Sequence, residues 1–202
     1  MLDPNLMSFV LGSLPPPPAN VLEVGAGEGE LAGALASAGY EVVAIDPESK
    51  SDTVRPIRLH ELDAANGFDA AVAELSMHHV EPLGESCQRL GEAVRSGGTL
   101  VLDEIDFELF DERAAGWWLE QGGTPEHDES SPAEIVAHLR HHCHMLRDVE
   151  AALDQWFELG RRARGPYLYR WDLAPALRAT ELDLIARGEL PPTGARIVGR
   201  RR

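Results

Sequence analysis

The 202-residue sequence predicts an α/β fold with a doubly wound, mostly parallel sheet, and three observations predict it. Residues 21–24 form an apolar run typical of a buried strand, and a glycine-rich turn follows them. Residues 40–45 form a second such run, with a helical pattern over about residues 30–38 between the two. Strands and helices then alternate as far as about residue 105. A β-α-β unit of this kind favours parallel strands joined by a right-handed crossover.

Local sequence signals place the other elements. Residues 5–12 can form a short helix, which ends at the Pro15–Pro18 run because proline cannot donate a backbone hydrogen bond. Ser131 and Glu134 match a capping box, and Pro132 suits the first helical position, so another helix begins there. Apolar and helical patterns predict the remaining elements, which are strands at 57–59, 70–73, 99–102, 157–164 and 195–200 and helices at 86–95, 111–120, around 149–153 and 175–187.

The composition bounds the size of the protein and excludes several function classes. The length suits one compact domain over residues 1–202, with an amino-terminal helix and proline-rich spacer at 1–20 and a helical substrate-side segment at 106–156. A net charge of −16, from 34 acidic and 18 basic residues, opposes binding to nucleic acid. Two cysteines, and no apolar run near the roughly 20 residues that span a bilayer, predict a cytoplasmic protein without a membrane anchor.

The turn after the first strand carries the main functional signal. Its spacing is Gly25-x-Gly27-x-Gly29, with Ala26 inside it, whereas a dinucleotide fingerprint needs glycine or alanine at position 30, which is glutamate. Glu28 and Glu30 would also repel a pyrophosphate at the start of the following helix. A cationic cofactor without phosphates avoids that repulsion. S-adenosylmethionine is such a molecule, and Glu23 could support its amino-acid end directly or through water.

An acidic residue ends the second predicted strand. Asp46 lies seventeen positions after Gly29, where a carboxylate can accept hydrogen bonds from both ribose hydroxyls of a nucleoside. Pro47 follows and could contact the adenine edge. The alternative is that Asp46 only stabilises the turn at the end of its strand.

Four segments of this sequence carry a resemblance to a known family, and they are Val21–Gly29, Ala44–Pro47, Phe68–Val80 and Ser96–Leu102. In this order they resemble motifs of class I S-adenosylmethionine-dependent methyltransferases, with small-molecule, type 11-like character. The resemblance implies a Rossmann-like fold with a C-terminal antiparallel strand, which residues 157–164 and 195–200 would supply. It also implies that the backbone at Glu74 and Leu75 faces the methionine part of the cofactor.

The sequence departs from the family between Asp46 and Phe68, where only about twenty residues replace a helix and a longer third-strand exit. In the family that exit carries an acidic residue that meets the adenine amino group. Glu61, Leu62 or Asp63 could take this place. The predicted cofactor-binding residues are therefore Glu23, Gly25, Ala26, Gly27, Gly29, Asp46, Pro47, Glu61, Leu62, Glu74 and Leu75.

Candidates for catalysis lie after the fourth and fifth predicted strands. His78 and His79 could take a proton from an acceptor hydroxyl or amine, although packing is the alternative role. The acidic run 103–106 could bind a cationic acceptor or take its proton, and the alternative is a solvated loop. Trp117 and Trp118 point about 100° apart on a predicted helix, so one could face the core and the other a pocket.

A histidine-rich segment at residues 138–144 is a weaker candidate for metal binding. His138 and His142 share a helical face at the i,i+4 spacing. No second cysteine pair or ordered acidic ligand accompanies them, so we predict no metal site.

These features favour a methyltransferase that transfers a methyl group to the oxygen, nitrogen or carbon of a small molecule, with the oligomeric state left open. The acceptor would be enclosed by the amino-terminal helix and residues 106–156. The alternative is a cofactor-binding regulatory or non-methylating protein on the same fold, because no obligatory base is evident. A nicotinamide-dependent oxidoreductase is disfavoured by the glycine spacing and the loop glutamates.

Overall fold

The computed structural model describes residues 2–63, 65–125 and 129–202. Its strands occupy the positions that the apolar runs predict, with two exceptions described below. Among the described residues, no helix has the length and apolarity that crossing a membrane requires. The strands are β1 (Asn20–Val24), β2 (Glu41–Ile45), β3 (Phe68–Glu74), β4 (Val94–Ile105), β5 (Phe157–Leu159), β6 (Ala163–Gly165) and β7 (Gly194–Arg201).

Three of the helices begin at residues whose side chains accept from the free amides of the first turn. Asp3 accepts from the amide of Asn5, Asp111 from two amides, and Ser131 from the amide of Glu134. Ser131 and Pro132 therefore begin the fifth helix as the sequence predicts, but the carboxylate of Glu134 accepts from the amide and hydroxyl of Ser130, so the reciprocal bond of the predicted capping box is shifted by one residue. The helices are α1 (Pro4–Ser13), α2 (Glu30–Ser37), α3 (Leu83–Ala93), α4 (Glu112–Glu120), α5 (Pro132–His142), α6 (Leu146–Leu153) and α7 (Arg178–Ala186).

The strands form one seven-stranded sheet in the order β2-β1-β3-β4-β7-β5, with β6 paired to β7. β1 runs parallel to both β2 and β3, and β3 runs parallel to β4. β5 and β7 are antiparallel, with Phe157 opposite Arg201. The mostly parallel, doubly wound sheet with an antiparallel C-terminal strand is therefore confirmed. Since the carboxyl ends of β1, β2 and β3 meet at one edge, the residues that follow them can form one site.

Two of the sequence predictions need correction. The predicted third strand at 57–59 is wrong, because only Arg55 bridges β2, opposite Ile45. Pro56 follows, and the amide of Ile57 turns back to the carbonyl of Arg55 at 2.8 Å, so the chain leaves the sheet before a strand forms. The predicted strand at 157–164 is two short strands, β5 and β6, with Gly160 between them.

The chain divides into two compact units, and the first contains most of the sheet. It comprises residues up to Glu104, Arg147–Arg161 and Arg196–Arg202. In its core, Leu6 and Val10 of α1 pack in one cluster with buried residues of the strands and of α2. Burial of these side chains stabilises β1 between its two parallel neighbours. The other core members are Leu14, Ala19, Val21, Leu31, Leu35, Tyr40, Ala70, Val72 and Val101.

The second unit comprises Ile105–Leu146 and Arg162–Ala195 and has an aromatic core. Trp118 is 1% exposed and stacks on Trp171 with ring centroids 4.6 Å apart. Its indole nitrogen also donates to the carbonyl of Trp171 at 2.8 Å, which satisfies the polar end of the buried ring. Phe110 packs against the same Trp171 ring at 5.7 Å.

A buried carboxylate holds the segment before Trp171. Glu181 of α7 is 0% exposed and accepts from three successive amides, those of Tyr167, Leu168 and Tyr169, at 2.7, 3.0 and 2.9 Å. Burial raises the pKa of Glu181, while the three amides act in the opposite direction. The carboxylate thus satisfies three backbone donors that would otherwise be buried without partners.

Glu181→Gln is expected to lower the free energy of unfolding by about 2 kcal/mol, because the amide nitrogen would face a backbone N–H instead of accepting from it. Urea unfolding followed by tryptophan fluorescence measures this loss. Asp183→Asn on the same helix is the control, since its exposed carboxylate pairs with Arg187, and Arg187 also pairs with Glu189. Equal losses in the two variants would contradict a structural role for Glu181.

Candidate functional site

The loop after β1 depends on glycine for its shape. Gly25 and Gly27 have φ of +69° and +52°, a left-handed conformation that glycine adopts at little cost. The amides of Gly25 and Ala26 both donate to the carbonyl of Ile45, at 2.9 and 3.1 Å, which fixes the loop at the end of β2. The amide of Gly29 donates to the carbonyl of Ala26 at 2.8 Å and leads into α2. The predicted glycine residues therefore form one tight turn between the sheet and the helix.

Asp46, at the end of β2, is bound to this loop. Its Oδ2 accepts from the amide of Gly27 at 2.9 Å, and its Oδ1 accepts from the amide of Glu48 at 2.8 Å. Asp46 therefore stabilises its own turn, as one of the two predicted roles requires. An ionised carboxylate has about four acceptor positions, so these two bonds leave capacity for ligand hydroxyls. Pro47, beside it, is exposed.

Glu23 is the least satisfied acidic group of the site. It is 3% exposed, and its Oε2 has no hydrogen-bond partner. Burial, with the nearby carboxylates of Glu74 and Asp46, raises the pKa of Glu23 from 4.5 to about 8. Removing a carboxylate from water beside two others is unfavourable unless a cation compensates it. The site therefore fits a ligand that presents positive charge.

The turn after β3 closes the other side of the glycine loop. Leu75 has φ of +51°, and its amide donates to the carbonyl of Asp103 at 2.9 Å. A leucine rarely adopts this conformation, so neighbouring contacts must hold it. Ser76 supplies one of them, because its hydroxyl donates to the carbonyl of Val24 at 2.8 Å. The backbone at Glu74 and Leu75 thus lies directly beside the end of β1.

A buried glutamate of β4 organises the rest of this turn. Glu104 is 2% exposed, and its Oε1 accepts from the amides of Ser76 and Met77 at 3.0 and 2.7 Å. Its Oε2 lies 2.7 Å from Nδ1 of His78. His78 is buried, whereas His79 is exposed, and their rings are 4.2 Å apart. The histidines thus have different environments, which the sequence alone does not distinguish.

The acidic run after the fifth predicted strand is engaged in contacts. Glu104 holds the turn described above, and Asp103 accepts from Arg196 at 2.8 Å. Within the second unit, Asp106 is 0% exposed and pairs with Arg162 and Arg164. The run is therefore a set of paired, buried carboxylates, and the solvated-loop alternative is wrong.

Glu61 and Leu62 lie in a separate local turn. The carboxylate of Glu61 accepts from the amide of Arg58 at 2.8 Å within a 3₁₀ turn at Leu59–Glu61, and Leu62 is buried. Direct contacts join the Gly25–Gly29 loop to Asp46 and to Ser76, but the contacts of Glu61 are within its own turn. Their assignment to the adenine remains a prediction.

The remaining candidates lie in the second unit. Trp117 lines a shallow cleft of about 290 Å³ between α4 and residues 184–190, while Trp118 is in the core, so the two rings diverge as predicted. His138 Nδ1 lies 3.0 Å from Glu129 Oε1, and its ring is 4.3 Å from that of His142. Within the described ranges, no three His, Cys, Asp or Glu side chains are placed to hold a metal ion.

Comparison with known proteins identifies the family. A family model described as a methyltransferase domain matches residues 4–132, which include the glycine loop, Asp46, the turn after β3 and Glu104. The chain belongs to the methyltransferase family. The match therefore covers β1 to β4 and extends through α4.

Two curated relatives are also methyltransferases. One is an uncharacterized methyltransferase of Mycobacterium tuberculosis, 41% identical over 41% of this chain and 48% of the relative. The chain thus spans about half the length of this relative. The other is a ubiquinone biosynthesis O-methyltransferase of Xanthomonas axonopodis pv. citri, 27% identical over 75% of this chain and 73% of the relative.

A solved structure supports the fold independently. The S-adenosylmethionine-dependent methyltransferase of Mesorhizobium loti superposes with a TM-score of 0.62, covering 95% of each chain at 16% identity. This likeness shows the class I methyltransferase fold.

Proposed function

We propose that this methyltransferase uses S-adenosylmethionine to methylate a small-molecule acceptor. The observation that carries the proposal is the buried, unpartnered Oε2 of Glu23 beside Glu74 and Asp46. A cofactor with an ammonium and a sulfonium supplies the positive charge that these carboxylates lack, and it brings no phosphate to repel. The named activities of the Mesorhizobium and Xanthomonas proteins agree with this proposal.

Each proposed cofactor residue has a distinct role. Glu23 would bind the amino-acid end, Asp46 the ribose hydroxyls, and Pro47 with Glu61 or Leu62 the adenine. When bound, the cofactor supplies an electrophilic methyl group. The tight turn would let the cofactor approach the backbone closely, and it is formed by Gly25, Ala26, Gly27 and Gly29, with Glu74 and Leu75 opposite.

Asp46→Ala is expected to weaken S-adenosylmethionine binding about 10- to 100-fold and to lower the free energy of unfolding by about 1–2 kcal/mol. Affinity falls because hydrogen bonds to the ribose are lost. Stability falls because the amides of Gly27 and Glu48 lose their acceptor. Calorimetry measures the affinity and urea unfolding the stability. Asp52→Ala is the control, since Asp52 is exposed in the same connection. An unchanged affinity for Asp46→Ala would mean that Asp46 serves the turn alone.

Whether methyl transfer needs a base depends on the acceptor. His78 and His79 would serve as base only for an acceptor that must lose a proton, since methyl transfer also accelerates through positioning alone. The transferred group could go to oxygen, nitrogen or carbon. We further propose that the two units form one domain, that the protein acts in the cytoplasm, and that nucleic acid is not its substrate, because its charge is −16.

Binding and turnover test the proposal separately. Calorimetry with S-adenosylmethionine and S-adenosylhomocysteine should show micromolar binding, and its absence would reject the cofactor. Incubation with a panel of phenols, catechols, hydroxylated quinones and amines should then release S-adenosylhomocysteine with at least one acceptor. Binding without turnover across a broad panel would instead favour a regulatory or non-methylating role.

A further inference from the structure

We propose that the cleft beside Trp117 in the second unit is a binding site for a small organic cation that carries an ammonium group. The cleft has a volume of about 290 Å³ and lies between α4 and residues 184–190. None of the residues that line it belongs to the proposed cofactor site, so this inference goes beyond the proposed function.

The ring of Trp117 lacks the contacts that the other tryptophans make. Trp118 and Trp171 stack on each other, and the guanidinium of Arg201 lies 5.0 Å from the ring centroid of Trp156. In the described part of the chain, no aromatic ring or guanidinium contacts the half-buried ring of Trp117. The face of a tryptophan ring attracts a cation that approaches within about 6 Å of its centroid. The cleft therefore offers a ring face to a ligand.

The wall opposite α4 is apolar and is joined to the helix. Leu184 and Leu190 line this wall, so it can contact the carbon atoms of a ligand. Nη1 of Arg113 on α4 donates to the carbonyl of Gly188 at 3.2 Å. This bond connects the two walls, and the cleft is thus formed before a ligand enters.

Gly116 forms part of the cleft in the middle of α4. Apart from proline, glycine is the least favourable residue in a helix interior. Among the described residues, a Cβ added at Gly116 would meet only Cγ of Pro132, at 3.9 Å, which is an ordinary contact. The helix therefore does not require glycine here. The open cleft does require it, because a larger side chain at this position would occupy part of the cleft.

The α4 wall of the cleft carries uncompensated negative charge. Glu112 and Glu120 are exposed and lie eight residues apart, on the same side of α4 as Gly116. Within the described ranges, no cation pairs with either carboxylate. The guanidinium of Arg113 also lines the cleft, but it pairs with Asp111 at 2.8 Å. This wall therefore attracts a cation and repels an anion.

The opposite wall adds to the negative charge. Glu189 is the third carboxylate that lines the cleft, and it pairs with Arg187 at 2.8 Å. Arg187 also pairs with Asp183 at 2.8 Å, so one guanidinium is shared by two carboxylates. A ligand that suits the whole cleft has a positive charge for the carboxylates and the ring, and carbon atoms for the leucines.

NMR of the ¹⁵N-labelled chain locates the binding of choline, the quaternary ammonium used as the probe. The chain has four tryptophans and therefore four indole N–H signals, and Trp117→Leu assigns the signal of Trp117. Choline should shift this signal saturably, with half-saturation at about 1 mM. The signal of Trp156, in the first unit, should stay unchanged. A Trp117 signal that does not shift overturns the proposal.

Two comparison compounds test whether the charge and the shape of choline both matter. The neutral analogue, in which a tert-butyl group replaces the trimethylammonium group, should bind about 10-fold more weakly or less. Potassium chloride at the same ionic strength should produce no saturable shift. Equal affinity for the neutral analogue would make the cleft merely apolar, and an equal response to potassium would indicate diffuse attraction of cations. Either result overturns the proposal.

Substitutions in the cleft test the assigned residues, with the dissociation constant measured by saturation-transfer NMR on the methyl signal of choline. Trp117→Leu should raise the dissociation constant about 3- to 30-fold, because the apolar contact remains and the ring face is lost. Glu112→Gln and Glu120→Gln should each raise it about 2- to 5-fold. Glu41→Gln, an exposed glutamate at the start of β2, is the matched control and should bind as wild type does. Wild-type affinity in all three cleft variants overturns the proposal.

Gly116→Leu separates the cleft from the stability of the fold. Leucine is favourable in a helix, so the midpoint of urea unfolding should be no lower than that of wild type. The new side chain should occupy the cleft and abolish the saturable shift of the Trp117 signal. Choline binding by Gly116→Leu with wild-type affinity overturns the proposal. None of these measurements uses S-adenosylmethionine, so their outcome is independent of the test of the proposed function.

Discussion

Gly25→Ala is expected to destabilise the protein by about 3 kcal/mol or more and to abolish measurable binding of S-adenosylmethionine. The new Cβ would lie 2.1 Å from Cβ of Ser76, far inside van der Waals contact. Gly25 also has φ of +69°, where any residue with a Cβ is strained. Either the glycine loop or the turn after β3 must therefore move, and both belong to the proposed cofactor site. Urea unfolding measures the stability, and calorimetry measures the affinity.

Gly27→Ala is the matched control. Gly27 has a similar φ of +52°, but nothing lies within 4 Å of the Cβ that would be added. This variant should lose only about 1 kcal/mol from backbone strain. Equal losses in the two variants would show that strain, and not the contact with Ser76, decides the stability. Adding Ser76→Gly to Gly25→Ala should restore part of the loss, because it removes the clashing Cβ, whereas Ser76→Ala retains that atom and should not.

The first β-α-β unit could be predicted from the sequence because its signals are local. Apolar runs mark β1 and β2, and three glycines between them mark the turn. The hydrophobic spacing of Leu31 and Leu35 marks α2, and both side chains are buried. Periodicity of this kind depends only on neighbours along the chain, so the sequence alone shows it, and here the tertiary structure agrees with it.

The third strand could not be predicted in this way. The apolar character of Ile57 and Leu59 suggests a strand, but their position relative to β2 depends on the turn at Pro56. A single hydrogen bond between the Ile57 amide and the Arg55 carbonyl redirects the chain. Apolar composition indicates that residues become buried, but it does not decide whether a short run pairs with a sheet.

The site shows the same contrast between local and distant contacts. Asp46 could be placed from its position after β2, since the ends of parallel strands share an edge. The link between Glu104 and His78 joins residues 26 positions apart, with Glu104 on β4 and His78 in the turn after β3. The sequence shows an acidic run after one strand and two histidines after another, without indicating which members meet. Only the register of β3 against β4 selects Glu104 and His78.

Glu23 is expected to make both stability and cofactor affinity depend on pH. Its pKa is about 8 in the folded protein against 4.5 unfolded, so between these values the folded state holds more protons than the unfolded state. The contribution of Glu23 to the free energy of unfolding is therefore fully present below about pH 4.5, and it is lost as the pH rises to about 8. A shift of this size corresponds to roughly 5 kcal/mol, of which about 4 kcal/mol is lost by pH 8.

Glu23→Gln removes this ionisation. The variant should be about as stable as wild type at pH 5 and more stable at pH 8, by up to about 4 kcal/mol. Urea unfolding of both proteins at the two pH values measures the difference between their free energies of unfolding. Other titrating groups contribute equally to both proteins, so their effect cancels in this difference. Glu41→Gln, whose carboxylate is exposed, should follow the wild type at both values. Parallel pH dependence of wild type and Glu23→Gln would contradict the raised pKa.

The affinity for the cofactor, unlike the stability of the free protein, should rise with pH. A cation beside Glu23 favours the ionised carboxylate, so binding near pH 7 releases up to one proton, and affinity rises up to tenfold for each pH unit between about 6 and 8. Calorimetry in two buffers of different ionisation enthalpy counts the proton. The cofactor amine titrates in the same range, but it does so with both proteins, and the difference between wild type and Glu23→Gln isolates Glu23. Glu23→Gln should bind about 30-fold or more weakly at pH 8 and release no such proton. The same buried carboxylate thus destabilises the free protein and strengthens the complex, which is expected of a residue retained for binding a cation.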